Sequence, residues 1–544
     1  MRPLAAILAL PLALALVPRE APACTNFVVT RGASTDGSVM ITYSADSHGL
    51  YGELYYTPPG VHPEGSTIEV FEWDTGRHLG RIPQAARTYA VVGNMNEHQV
   101  SIGETTFGGR KELLDAEGTV DYGSLMYLAL QRSRTAREAV DTIGALAEAH
   151  GYASEGETFS IADPREAWLM EMVGKGPKGK GAVWVALRVP DGHVTAHANA
   201  SRIRKFPLRD PKICVYSKDV IGFAREKKWF DGKDEDFSFA DAYNPASFGA
   251  QRFCEARVWA FYRRVSAAFR DPTPYVRGVE GAEPLPLWIK PDKPLSARDV
   301  AELMRDHFEG TEFDLGKGVG AGPYGLPYRW RPLTWEHEGA KYLNERATST
   351  QQTGFSFVAQ MRPSLPDPIG GVLWFGVDDT FLTVYVPMYA GIREAPYNFR
   401  VGTGDFRHFT WDSAWWVFNV VANWTYARWS DIVGDVRSVQ RELEGEHHAL
   451  LADADATAVK LWAASPEQAR AFLTDFSARR AAKTVERWRK LSQDLFVKYL
   501  DGNTRDEMGK VKHPGYSKEW KQRVVNDEGA RLKVTKFKTE PAEE

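Results

Sequence analysis

The sequence predicts an α+β fold in which helices pack on antiparallel sheets. Three observations predict it. Runs of β-branched and aromatic residues of strand length recur from residue 24 to residue 189. Two amphipathic helical stretches interrupt them back to back, giving strand–helix–helix–strand order instead of alternating βαβ units. Strand pattern returns at 355–386 and gives way to long helical stretches.

Thr25 to Thr30 reads Thr-Asn-Phe-Val-Val-Thr, a first strand. Ser34-Thr35-Asp36-Gly37 is a turn and Val39 to Tyr43 a second strand, so the two form a hairpin. Tyr89 to Gly93 and Val100 to Gly103 read as another strand pair around Asn94-Met95-Asn96-Glu97. Tyr122 to Gln131 places Leu125, Leu128 and Ala129 at helical spacing. Thr135 to His150 repeats the pattern, and Gly151 stops it. Strands follow at 159–162, 167–172 and 182–189. Residues 205–345 are loop-rich, with a Pro-rich stretch at 272–298 and a Gly-rich one at 315–326; they read as long excursions. Further strands are expected at 355–360, 371–377 and 381–386, then a helix from Trp411 to about Leu450. The last helix opens with Ser465 as N-cap, Pro466 at the first position and Gln468 completing a capping box. Its apolar stripe is Val485, Trp488, Leu491, Leu495 and Tyr499, and Gly502 ends it.

The chain has 544 residues, 43% of them hydrophobic, with a net charge of −4. That is ample for a large core, and by length alone for two or more domains. The near balance of charge argues against nucleic acid or an anionic membrane as partner. No later segment has an uninterrupted apolar run long enough to span a bilayer.

The N-terminus carries a positive start, Met1-Arg2-Pro3, an apolar run from Leu4 to Val17, and the small-x-small sequence Ala21-Pro22-Ala23. This is the form of a signal peptide with its cleavage site. Residues 1–23 are therefore expected to be removed, the product exported to a periplasmic or extracellular space, and Cys24 left as first residue. Signal peptidase is the simpler agent; self-cleavage is the alternative. The three cysteines are Cys24, Cys214 and Cys254. With Cys24 kept free, Cys214 and Cys254 are either a disulfide pair or two buried thiols.

Several catalytic signatures are absent: G-x-S-x-G, H-E-x-x-H and C-x-x-C. Gly174 to Gly181 nearly matches a phosphate loop. It lacks the Ser or Thr for Mg²⁺ and lies between two strands, so it reads as a hairpin loop. His447-His448 reads as a solvated helix end, because adjacent helical residues point to different faces. Cys24 at a cleaved terminus remains. A terminal Cys has a thiol and an α-amine on one residue, and the amine can serve as general base for its own side chain. The chemistry is then acyl transfer through a thioester.

Cys24-Thr25, Ala33-Ser34-Thr35-Asp36-Gly37-Ser38, Gly93-Asn94-Met95-Asn96-Glu97, Ala162 to Trp168 and Trp184 to Gly192 resemble, in the same order, the motif series of the C69 dipeptidases. So do Arg362 to Pro366, Gly371 to Gly376 and Asp412 to Trp416. The resemblance runs from Cys24 to about residue 450. It implies a four-layer αββα sandwich of the N-terminal nucleophile hydrolase type over 24–450, with additional C-terminal helices at 451–544. It also implies hydrolysis of dipeptides, no cofactor and no metal. A small peptide substrate is then the partner, with no nucleic acid, no membrane once the signal is removed, and homo-oligomerisation left open.

Residue by residue, Cys24 matches the nucleophile, against a lipid-anchored or leftover Cys. Asp46 lies where an Asp contacts the terminal amine, against a turn residue after a strand. Asn96 sits where an Asn supplies the oxyanion hole, against plain turn chemistry. Asn199 resembles the Asn near the nucleophile, against a loop Asn. Arg257 resembles the Arg that favours the thiolate, against a salt bridge on a helix surface. Where related enzymes have Arg-Asn-x-Asp, this chain has Tyr43-Ser44-Ala45-Asp46, so that Arg is missing. Two rival functions stand beside the dipeptidase: an N-acyl amide or penicillin-type amide hydrolase on the same scaffold, and a non-catalytic surface lipoprotein anchored at Cys24.

Overall fold

The computed structural model describes residues 24–535. The expected signal peptide, 1–23, lies outside the described residues. Two large antiparallel sheets dominate. The first has seven strands in the order Trp288–Ile289, Val194–His197, Asn26–Val29, Val39–Asp46, Thr353–Met361, Gly371–Val377 and Val386–Tyr389. The second has eight, in the order Cys214–Tyr216, Ala182–Arg188, Ala167–Gly174, Gly156–Ala162, Ser101–Gly108, Met95–Asn96, Val91–Val92 and Tyr56–Thr57. The expected hairpin is present, with Val28 opposite Ile41 and Val29 opposite Met40.

Strand period 2 divides the second sheet between two cores. Trp168, Met170 and Met172 join Phe159 and Ile161 against the helices Tyr122–Arg132 and Ala136–His150. Leu169 and Val173 join the larger core that contains the first sheet. The sheets come into close contact at Gly103. A Cβ there would lie 2.8 Å from the Asn26 side chain and 3.2 Å from the Thr42 carbonyl oxygen, so only glycine fits. Gly103 thereby brings the Ser101–Gly108 strand against the start of the chain's first strand.

The two helices begin as their sequences dictate. Asp121 accepts from Ser124 N–H at 2.9 Å in a capping box, and Thr135 accepts from Glu138 N–H at 3.1 Å. Three long helices, Ala414–Ala427, Trp429–Ala464 and Pro466–Lys498, pack beside the first sheet's Gly371–Val377 and Val386–Tyr389 edge. Trp488 is buried and stacks on Phe418 at 4.9 Å, while Phe476 meets Tyr389 at 5.9 Å.

The structure corrects several expectations. The pair at 89–103 contains an extra two-residue strand, because Met95–Asn96 pairs with Val91–Val92 on one side and with Ser101 on the other. The strand expected at 381–386 lies at Val386–Tyr389. Asp378, with φ of 65°, and a turn at 379–382 consume the residues before it. The helix expected from 411 to 450 is two helices, broken at Arg428 (φ −149°, ψ 61°). The second runs through residue 450 to Ala464, so the expected division there falls inside one continuous helix. His447 is buried, not solvated; its Nε2 lies 3.0 Å from Thr484 Oγ1 of the following helix. Cys214 and Cys254 are free thiols. Among the described residues no helix is long and apolar enough to cross a membrane.

Candidate active site

Cys24 lies two residues before the first strand, Asn26–Val29, and is 1% exposed. Its thiol lies 3.4 Å from Glu104 Oε1 and 3.7 Å from the Tyr43 hydroxyl. Tyr43 in turn donates a short hydrogen bond to the same Glu104 oxygen. Tyr43 and Asp46 come from the hairpin's second strand, and Glu104 follows Gly103, the residue that lets the sheets meet.

Arg257 secures Cys24 through its backbone. Its Nη1 donates to the Cys24 carbonyl oxygen at 2.6 Å and to Thr25 Oγ1 at 2.7 Å. Nη2 donates to Ala198 O at 3.0 Å and Asn199 Oδ1 at 2.9 Å, and Nε to Phe253 O at 2.7 Å. A guanidinium has five N–H donors, and this set uses them all. Local geometry aims the side chain: a π-turn over Ala250–Glu255 leads into the helix Ala256–Val265. Arg257 is 1% exposed, and burial and the neighbouring Arg346 bring its pKa down to about 9. It is not the surface ion pair that was the other reading of this residue; its hydrogen bonds go to the backbone and to Thr25 and Asn199, and the Cys24 thiol acts on it through charge alone.

Asn199 adopts the left-handed region (φ 63°), which asparagine tolerates better than most residues. Arg257 fixes its Oδ1, and its Nδ2 donates to Thr106 O at 2.6 Å. Asp46 is buried behind Cys24. It accepts from Arg346 Nη2 at 2.7 Å, Thr353 Oγ1 at 2.7 Å and Ser44 Oγ at 3.2 Å. Burial raises its carboxyl pKa, and Arg346 and Thr353 oppose that rise.

Asn96 is not part of this cluster's donor set. Its amide donates to Leu130 O and Ser133 O, both at 2.7 Å, while its Oδ1 accepts from His98 N–H and Val100 N–H. Both amide protons are committed to a helix end, so the oxyanion role expected for Asn96 is replaced by that of a turn anchor.

The electrostatics around the thiol are unusual. Burial pushes the Cys24 thiol well up, and the Glu104 and Asp46 carboxylates push it further; the Asp46 peptide N–H and the Tyr43 hydroxyl act the other way. Glu104 lies against Glu157, and both carboxyls are raised, first by burial. His197, between the sheets, is bracketed by Thr105 Oγ1 at 2.7 Å and Ser160 Oγ at 2.6 Å; burial lowers its pKa to about 3 and keeps it neutral. Tyr43 also walls a cavity of about 170 Å³ lined by Tyr55, Trp73, Met126, Phe355 and Phe375. Among the described residues no group of three His, Cys, Asp or Glu side chains is arranged to hold a metal ion.

Cys24, Asp46, Asn199 and Arg257, spread over more than two hundred residues of sequence, therefore meet at one place. Tyr43, Glu104 and Arg346 were missed. Glu104 had a signal: it is the one charged residue in the strand Ser101–Gly108, and Gly103-Glu104-Thr105 recurs as Gly156-Glu157-Thr158. Arg346 had none, because it arrives from a loop three hundred residues from Asp46.

An α+β architecture with these motifs falls in the class of the peptidases. The chain belongs to peptidase family C69, whose model matches residues 62–442. The match begins downstream of Cys24 and Asp46. A probable dipeptidase of Salmonella dublin is 24% identical over 396 residues, covering 68% of this chain and 82% of that protein. A probable dipeptidase of Latilactobacillus sakei is 24% identical over 403 residues, covering 70% and 77%. A dipeptidase of Bifidobacterium longum is 24% identical over 488 residues, covering 82% and 85%.

Proposed function

We propose that this chain is an exported cysteine-type dipeptidase, with Cys24 as nucleophile and its own α-amine, liberated by removal of residues 1–23, as general base. The two facing sheets with helices outside them are, on this reading, the four-layer αββα sandwich of the N-terminal nucleophile hydrolases. One observation carries the proposal: Arg257 fixes the Cys24 backbone while the thiol turns toward Tyr43 and Glu104, beside a cavity. The names of the relatives supply the substrate class.

The raised thiol pKa argues against a standing thiolate. The proton leaves Sγ for the amine as the S–C bond forms. It then passes to the leaving amino group as the C–N bond breaks, and water hydrolyses the thioester. Asp46 orients the amine. Asn199, whose Oδ1 is held by Arg257 and whose Nδ2 donates to Thr106 O in the resting structure, is the oxyanion donor on this reading.

A second reading has a specific observation in its favour. The aromatic lining of the cavity suits an acyl chain, as an N-acyl amide hydrolase requires. A panel of dipeptides and N-acyl amino acids, run on the exported protein and on Cys24→Ala, tests both. We expect dipeptide hydrolysis that Cys24→Ala abolishes while still folded. Preference for long-chain N-acyl substrates would support the second reading, and full activity in Cys24→Ala would end both.

A further inference from the structure

The geometry points to the cavity beside Tyr43 as the pocket for the side chain of the substrate's N-terminal residue, to one aromatic ring as its occupant, and to Trp73 as the residue that sets this preference. This rests on the reading of Cys24 as the nucleophile of a dipeptidase, and adds to it the class of side chain selected.

Three separate elements build the cavity. The first wall is a sheet face. Tyr43 lies opposite Phe357, and Phe357 opposite Phe375, on three adjacent strands, so the three side chains share one face; Phe355 follows two residues along it. Phe355 meets Tyr43 edge to face at 5.6 Å and stacks on Phe375 at 5.5 Å. The second wall is one stripe of the helix Tyr122–Arg132, where Gly123, Met126 and Leu130 stand at i, i+3 and i+7. The third is Trp73, from the turn between the paired strands Thr67–Phe71 and His78–Pro83. That hairpin is fastened to the start of the helix. Trp73 N–H donates to Asp121 Oδ2 at 2.7 Å, and the Tyr122 hydroxyl donates to Asp74 Oδ1 at 2.9 Å. The indole has its seat because residue 123 is glycine: a Cβ there would run into Trp73 Cβ and Cγ. On its other side Trp73 meets Tyr55 at 5.1 Å.

Tyr43 belongs to both the cavity and the nucleophile. Its hydroxyl is 3.7 Å from Cys24 Sγ, and its ring is part of the cavity wall. Sγ must approach the scissile carbonyl carbon to roughly 3–3.5 Å. The Cβ of the N-terminal residue is two bonds, or about 2.5 Å, from that carbon, whereas the Cβ of the C-terminal residue is a bond further away. The N-terminal side chain therefore departs closest to the thiol and to the Tyr43 ring.

Size and chemistry select the ring. The cavity holds about 170 Å³. An apolar cavity of about 150 Å³ takes one benzene molecule. Aromatic walls offer an inserted ring both edge-to-face and offset-stacked partners. Glu53 is the one charged residue of the lining; it is half-buried and already accepts from Gly402 N–H at 2.9 Å. A methyl side chain would leave most of this apolar surface uncovered.

The test compares kcat/KM for phenylalanyl-alanine, alanyl-alanine, lysyl-alanine and alanyl-phenylalanine in the wild-type protein, Trp73→Ala and Met126→Trp. Wild type should use phenylalanyl-alanine at least about tenfold better than alanyl-alanine or lysyl-alanine, and at least about threefold better than alanyl-phenylalanine. Both variants should cut the ratio of phenylalanyl-alanine to alanyl-alanine by at least about fivefold, Trp73→Ala by opening the wall and Met126→Trp by filling the space. The ratio is the readout because a loss of folded protein lowers both rates alike, and the wild-type comparison stands even where a variant fails to fold. Equal use of phenylalanyl-alanine and alanyl-alanine by wild type, better use of lysyl-alanine or alanyl-phenylalanine, or an unchanged ratio in folded Trp73→Ala would each overturn the inference. Those outcomes leave the nucleophile reading standing if Cys24→Ala is inactive; an active Cys24→Ala would bring down that reading and this inference with it.

Discussion

Arg257 holds Cys24 by its carbonyl oxygen, at 2.6 Å from Nη1, and leaves the thiol to other neighbours. All five guanidinium donors are in use on five acceptors from three separate segments. Lysine has three donors and cannot serve them. Arg257→Lys should leave at least two buried acceptors unsatisfied, at about 1–3 kcal/mol each. We expect a lower melting temperature, and a fall in kcat with KM little changed, because the displaced group is the nucleophile's own backbone. A raised KM with kcat preserved would place Arg257 in substrate binding instead.

The two asparagines should separate. Asn199→Ala should lower kcat by about 100-fold or more with modest loss of stability, as removal of an oxyanion donor does. Asn96→Ala should lower stability, because Leu130 O and Ser133 O lose their donor and two peptide N–H groups lose their acceptor. Its kcat, measured well below the unfolding transition, should stay near the wild-type value. The reverse pattern would restore Asn96 as the oxyanion donor.

Asp378 predicts a pH dependence of stability. It sits at φ 65° after the strand Gly371–Val377, accepts from Asn419 Nδ2 at 2.9 Å and faces Asp379. Burial, with Asp379 adding to it, raises its pKa to about 8. A carboxyl raised on folding gives stability that is fully present below its unfolded pKa and is lost as pH rises through about 8. An asparagine side chain at this position would keep the acceptor, tolerate the backbone and remove the charge. The Asp378→Asn protein should therefore gain in melting temperature over wild type between about pH 5 and about pH 9. A constant difference across that range would show that Asp378 does not titrate there.

Most sheet strands, the hairpin at the start and the two helices at 122–150 were legible because hydrophobic period and the Gly151 stop are local signals. The break at Arg428 was not, since nothing in Tyr426-Ala427-Arg428-Trp429 disfavours a helix. That turn is fixed by tertiary contacts and by the partly buried Arg428–Asp431 pair. His447 was misread because its burial depends on Thr484, which belongs to another helix. Within the site, Cys24, Asp46, Asn199 and Arg257 were singled out by resemblance at separate positions of the sequence, and the structure brings them close together. Asn96 failed because its neighbours in space, Leu130 and Ser133, claim its amide. Arg346 occupies a place beside Asp46 that no spacing announces. It puts a guanidinium beside that carboxylate.

The most direct test of the central claim is denaturing mass spectrometry of the active, exported protein quenched during turnover of a slow dipeptide ester. We predict a chain that begins at unmodified Cys24, and a second species heavier by one acyl residue whose adduct maps to the Cys24 peptide as a thioester. An active chain that begins upstream of Cys24, a blocked Cys24 amine, or an adduct on another residue would contradict the account.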